Sequence, residues 1–276
     1  MTRRLVAPML TALAAAGIAG AAADAAPKAR ETARLRAAGA DAAVAAPRER
    51  RVVGLAASSA APVAPAAAAR VRQMVVFRDG HALTKRVSTA ATTVNVAGRR
   101  CAVGDGTALA ALGRSKPGRL RIRDFGSCSS SPRDAAGLLV TGIGGDRNRG
   151  QRGWVYKVGR RAATAGAGDP SGPFGHGRLR AGQRVTWFYC VRAADCQRTL
   201  VVRATPTTDG IVATVRAYDD AGDGVPVEGA SVTAGGVTGL TAVDGRVQIA
   251  LAPGTHRVVA RKEGLVRSFT DRVEVP

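Results

Sequence analysis

The sequence predicts a mainly β protein: a small, β-rich α+β domain, then an all-β sandwich, with a disordered linker ahead of both. Three observations carry this. Runs of β-branched and aromatic residues recur from Val71 onward, bounded by Gly, Pro and Asp. From residue 209 they return about every ten residues, the spacing of a sandwich. Before them lies a stretch of Ala, Pro and Arg with few bulky apolar side chains.

Residues 1–26 have the pattern of a secretory signal peptide. Arg3 and Arg4 are the positive end, Leu5 to Ala23 is apolar, and Ala21-Ala22-Ala23 and Ala23-Asp24-Ala25 offer small-x-small cleavage sites. The apolar run is Ala-heavy, weaker than the roughly 20 strongly apolar residues of a spanning helix. No later stretch is apolar enough to span a bilayer, so no transmembrane segment is expected after cleavage. Residues 27–71, with runs such as Ala-Ala-Pro-Val-Ala-Pro-Ala-Ala-Ala-Ala, cannot bury enough surface to offset chain entropy and are expected as a disordered tether.

The first domain is expected over 72–204. Met74 to Phe77, Asp79-Gly80 and Ala82 to Val87 predict a hairpin. Thr92 to Val96 is a strand. Thr107 to Leu112 is a helix with Thr107 as N-cap and Gly113 as its stop. Leu120 to Phe125 alternates apolar and charged residues, placing Arg119, Arg121 and Arg123 on an exposed face. Val155 to Val158, Val185 to Tyr189 and Thr199 to Arg203 complete this domain. The second is expected over 209–276, with strands at Val212 to Tyr218, Val225 to Thr233, Gly239 to Val247 and Leu251 to Val258.

Charge divides the chain. The net value is +21. Residues 73–203 hold 23 basic and seven acidic side chains, whereas residues 204–276 hold seven and nine. A field this strong attracts polyanions. With 36 Arg against five Lys, coding bias explains part of the excess, but the near-neutral final segment shows that bias is not all of it. Outside a cell the partner would be an anionic cell-envelope polymer or glycan. No specific nucleic acid is expected, because aromatic stacking positions are few. The oligomeric state is left open.

Four cysteines in an exported chain predict two disulfides, for which three pairings exist. Cys190 and Cys196 lie close together, which leaves Cys101 with Cys128. A zinc site normally shows Cys-x-x-Cys knuckles, and the chain has none.

Between Leu138 and Cys196 the chain concentrates both tryptophans and two of its three tyrosines. Thr141-Gly142-Ile143, Gly153-Trp154-Val155-Tyr156, Leu179, Gly182 and Val185-Thr186-Trp187 follow in the order of the transcobalamin-like C-terminal domain family, which residues 72–203 resemble. Where that family reads Val-Asn-Gly, this chain has Val158-Gly159-Arg160, and its loop from Gly166 to Gly177 is enlarged. The resemblance implies a secreted β-rich module with a cobalamin-like small molecule as the alternative ligand. In the vitamin carriers a helical barrel supplies the other half of that site, and no barrel is predicted here. Residues 210–275 resemble the carboxypeptidase-regulatory-like, prealbumin-type (Ig-like) β-sandwich, through Pro226-Val227-Glu228-Gly229-Ala230, Asp244-Gly245 and Pro253-Gly254-Thr255. Such modules are usually spacers or adhesion units.

No catalytic constellation is legible, so the chain is expected not to be an enzyme, with no cofactor and no metal. His81, His176 and His256 lack ligand spacing. Asp219 to Gly224 resembles the start of a calcium loop, but Ala230 stands where a bidentate Glu is needed, so a plain acidic turn is expected. The candidate ligand-binding residues are Trp154, Tyr156, Arg152, Lys157 and Arg160. Trp154 and Tyr156 share one face of a strand, as do Trp187 and Tyr189. That face is either core or binding surface. The expected role is a secreted or cell-surface binding or structural protein.

Overall fold

The computed structural model of the chain describes residues 68–191 and 195–276. The expected signal peptide and most of the expected linker lie outside the described residues. The architecture is mainly β, as the periodicities predict.

The N-terminal half contains β1 (Arg70–Val76), β2 (Ala82–Ser88), β3 (Thr92–Val96), β4 (Arg99–Val103), α1 (Ala108–Ser115), β5 (Leu120–Asp124), β6 (Leu138–Ile143), β7 (Asp146–Arg147), β8 (Gly153–Val158), β9 (Arg161–Ala162) and β10 (Arg184–Cys190). Its main sheet runs β2-β1-β10-β8-β9, with β1 parallel to β10 and the other pairs antiparallel. One face carries Val71, Val75, Val185 and Trp187 into a core closed by α1 and by Val94, Val103, Leu138 and Val140.

The C-terminal half contains β11 (Thr199–Thr207), β12 (Gly210–Tyr218), β13 (Gly224–Pro226), β14 (Ser231–Ala234), β15 (Val237–Leu240), β16 (Arg246–Ala250), β17 (Gly254–Arg261) and β18 (Asp271–Val275). One sheet holds β11-β12-β13 with β16 on β12, and the other runs β15-β14-β17-β18. Between them lies a second core that includes Ile211, Val215, Val232, Val258 and Val273.

Four expectations are corrected. The first strand starts at Arg70, two residues ahead of the expected bound at 72, and Arg70 pairs with Ser88 in the first hairpin. Thr199 to Arg203 is not part of the first sheet: β11 pairs along its whole length with β12, so the strand boundary falls before Thr199 rather than after residue 204. A hairpin turn at Asp209 outweighs the continuity with β10 that the sequence suggests. Helix α1 runs past Gly113 to Ser115 and ends at Lys116, whose φ of 48° is left-handed. Pro117 cannot continue the helix, and at the other end Thr107 is the N-cap, its hydroxyl accepting a 3.1 Å bond from the Ala110 N–H. Finally, Arg119 and Arg123 are exposed, but Arg121 is half-buried with its Nε unpaired.

The two halves meet on the other face of the main sheet. Met74, Val76 and Phe188 pack there against Val266 and Phe269. Both disulfides form with the expected pairing, Cys101–Cys128 and Cys190–Cys196. Among the described residues, no helix is long and apolar enough to cross a membrane.

Candidate functional site: aromatic core, cavity and arginine groove

Strand β8 distributes its side chains by parity. Trp154 and Tyr156 point into the first core, 5% and 9% exposed. Opposite them on β10, Tyr189 pairs with Trp154 and Trp187 with Tyr156. The Trp154 and Tyr189 rings meet edge-on at 6.0 Å, and Tyr156 stacks on Trp187 at 4.9 Å. Most polar tips are satisfied. Trp154 Nε1 donates to the Asp146 carbonyl at 3.1 Å, the Tyr156 hydroxyl to the Ala165 carbonyl at 2.9 Å, and the Tyr189 hydroxyl to the Arg147 carbonyl at 3.0 Å. Trp187 Nε1 has no partner. Burial, and after it the Asp169 carboxylate, pushes the Tyr156 phenol well above the ordinary tyrosine range.

The five residues singled out from sequence therefore do not form one surface. Trp154 and Tyr156 are core. Lys157 points the other way and is 1% exposed. Its ammonium donates to the carbonyls of Tyr218 at 3.1 Å and Asp219 at 2.8 Å and pairs with Asp220 at 2.9 Å. It ties the two halves together, and it also lines the cavity along β8. Arg152 and Arg160 are exposed but lie beyond opposite ends of β8, about 20 Å apart at the usual rise per residue. Arg160 sits over the Tyr218 ring, 4.5 Å from its centroid.

A cavity of about 520 Å³ runs along the edge of β8 that β9 leaves unpaired. Trp154, Tyr156 and Trp187 form one wall, and Leu138, Val140 and Gly166 line it as well. The exposed Phe125 and Leu139 also line it. The size suits a small organic molecule.

The strongest concentration of charge lies elsewhere. On the main sheet, Arg72 is directly opposite Arg86 on β2 and Arg184 on β10. Cross-strand partners share a face, so three guanidinium groups stand in one row across three strands. On the second sheet, Arg257 of β17 is directly opposite Arg272 of β18. Arg72, Arg86, Arg257 and Arg272 line a groove of about 570 Å³ that also includes Thr84, Thr270 and Asp271. Arg184 reaches Asp271 at 3.5 Å, and Arg72 donates to the Thr270 carbonyl at 2.6 Å. Both guanidiniums lie 5.5 Å from the Phe269 ring centroid. Burial, then Arg184, lowers the Arg72 pKa from its usual value, with Arg86 and Arg272 acting in the same sense and Asp271 opposing. Lys85 also lines the groove, but its ammonium donates to the Ser115 carbonyl at 2.7 Å and caps α1.

The acidic turn is structural. Asp219 Oδ1 accepts from the N–H groups of Gly222 and Asp223, at 3.0 and 2.8 Å. The Asp223 bond is the leading cause of a lowered Asp219 pKa. Among the described residues, no group of three His, Cys, Asp or Glu side chains is placed to hold a metal ion. Comparison with protein-family models, with curated proteins and with solved structures finds no match for this chain.

Proposed function

We propose that this is a secreted or cell-surface, non-catalytic modular protein whose basic N-terminal half engages an anionic cell-envelope polymer or glycan. The observation that carries the reading is the asymmetry of charge: 23 basic against seven acidic residues over 73–203, then seven against nine over 204–276. Two disulfides in a chain with a signal-peptide-like start support an oxidising, extracellular setting. The resemblance to transcobalamin-like and prealbumin-type modules supports a binding unit joined to a spacer. A cationic field on a rigid β scaffold concentrates polyanions without a catalytic group.

The test is co-sedimentation of the protein with purified envelope polymers at low and high salt, with an uncharged polysaccharide as control. Pelleting with the anionic fractions at low salt is expected. Failure to pellet with any of them overturns the reading.

A second reading, a carrier of a cobalamin-like small molecule, is favoured by the cavity beside Trp154, Tyr156 and Trp187. Its test is a shift of the corrinoid absorption spectrum on mixing. An unchanged spectrum removes it.

A further inference from the structure

We infer that Arg72, Arg86 and Arg184, with Arg257 and Arg272 facing them from the second sheet, form a binding site for clustered phosphate groups at the junction of the two halves. The inference rests on the anion-binding reading and gives it a place and a chemistry.

Like charges directly opposite each other in a sheet are destabilising. Here three such pairs coincide: Arg72 with Arg86, Arg72 with Arg184, and Arg257 with Arg272. Arg184, beside the groove, pairs with the carboxylate of Asp271, leaving the four guanidiniums that line the groove, Arg72, Arg86, Arg257 and Arg272, without a counter-charge of their own. Among the described residues, Arg86, Arg257 and Arg272 make no ion pair. A bound polyanion relieves this repulsion. The guanidinium fork matches phosphate oxygens two at a time. A phosphomonoester brings about two negative charges at neutral pH, so a pair of them balances the groove, whereas a lone carboxylate does not.

The groove is also pre-formed. Phe269 lies under Arg72 and Arg184, and the Thr270 carbonyl holds Arg72. Strands lie about 4.8 Å apart, so the row from Arg86 to Arg184 spans roughly 10 Å. That length accommodates neighbouring phosphates of one ligand. The same chemistry occurs in free polyphosphate and in a phosphate-bearing polymer.

The experiment is calorimetric titration of the whole protein with sodium tripolyphosphate at low, fixed ionic strength. Three proteins are compared: wild type, Arg86→Gln/Arg272→Gln, and Arg133→Gln/Arg149→Gln, a control that removes two exposed charges outside the groove. Loss of two charge-assisted contacts weakens the groove variant about 100-fold, and the control about threefold or less. Circular dichroism verifies folding, and Arg257→Gln is a second, single-site variant on the facing sheet, expected to bind about tenfold more weakly. Equal weakening of groove and control variants overturns the site while leaving the anion-binding reading intact. Binding to envelope polymer that survives removal of its phosphates overturns the phosphate chemistry. Absence of binding to both tripolyphosphate and envelope polymer overturns the site and the reading together. If binding to the polymer is lost with its phosphates, the polymer is the source. If only tripolyphosphate binds, free polyphosphate is.

Discussion

The two disulfides close loops of unequal length, with sequence separations of 27 and 6 residues. If a bridge acts mainly by restricting the unfolded chain, Cys101–Cys128 contributes about 3.5 kcal/mol and Cys190–Cys196 about 2.3 kcal/mol. Urea unfolding of Cys101→Ser/Cys128→Ser is therefore expected to show a larger loss than Cys190→Ser/Cys196→Ser; the reverse order would mean that native-state effects dominate. Tyr156 makes a second prediction. Its raised pKa means that the folded state keeps a proton that the unfolded state releases above about pH 10. The folded state then binds more protons, so stability falls as pH rises beyond that point. Tyr156→Phe is expected to flatten the alkaline arm of a stability–pH curve, and an unchanged arm would show that Tyr156 is not its source. The cysteine pairing was legible because Cys190 and Cys196 are near neighbours. The shared face of Trp154 and Tyr156 was legible because strand parity is local. That Lys157 is buried was not, since the carbonyls of Tyr218 and Asp219 that receive its ammonium lie 61 and 62 residues away.

At the level of elements, β8 carries core aromatics on one face and a single buried ammonium on the other. Lys157→Met keeps the volume but leaves the Tyr218 and Asp219 carbonyls without their donor. With Asp220 about half exposed, the expected loss is about 2–3 kcal/mol in chemical denaturation. A loss below about 0.5 kcal/mol, ordinary for a surface site, would contradict the burial. Most strand runs were legible from alternation and turn residues, including β3 over Thr92–Val96. The end of α1 was not, because Gly113 packs in the helix, where a Cβ would lie 3.5 Å from Val94. The arginine row was hidden for a different reason. Arg72 and Arg184 are brought together by a parallel pairing across 112 residues, and Arg72 with Arg86 by the hairpin register. Register depends on tertiary packing, so the sequence shows scattered arginines where the sheet shows a line.

Over the whole molecule, the joint between the halves is a small apolar cluster of Met74, Val76, Phe188, Val266 and Phe269, fastened by Lys157 at one side. A joint of this kind couples two cores into one cooperative unit. Phe269→Ala is expected to cost about 3–4 kcal/mol and to split one calorimetric transition into two. A single transition in the variant would mean that the halves are coupled by other contacts. Beside the joint, the same face of the main sheet turns from apolar to arginine, so the surface that fastens the halves together also builds the groove between them. Charge distribution was the whole-molecule property most plainly legible in the sequence, since it needs no fold; its focus on one groove needed the sheets.

The central claim is that this charge binds a polyanion. It is tested most directly by the dissociation constant of the whole protein for one anionic envelope polymer, measured from about 20 to 300 mM salt, over which screening shortens from roughly 20 to 6 Å. The account predicts that log K falls linearly with log salt, with a slope of about −3 or steeper, as several counterions are released together. Binding that is absent at 20 mM salt, or that does not change with salt, would contradict it.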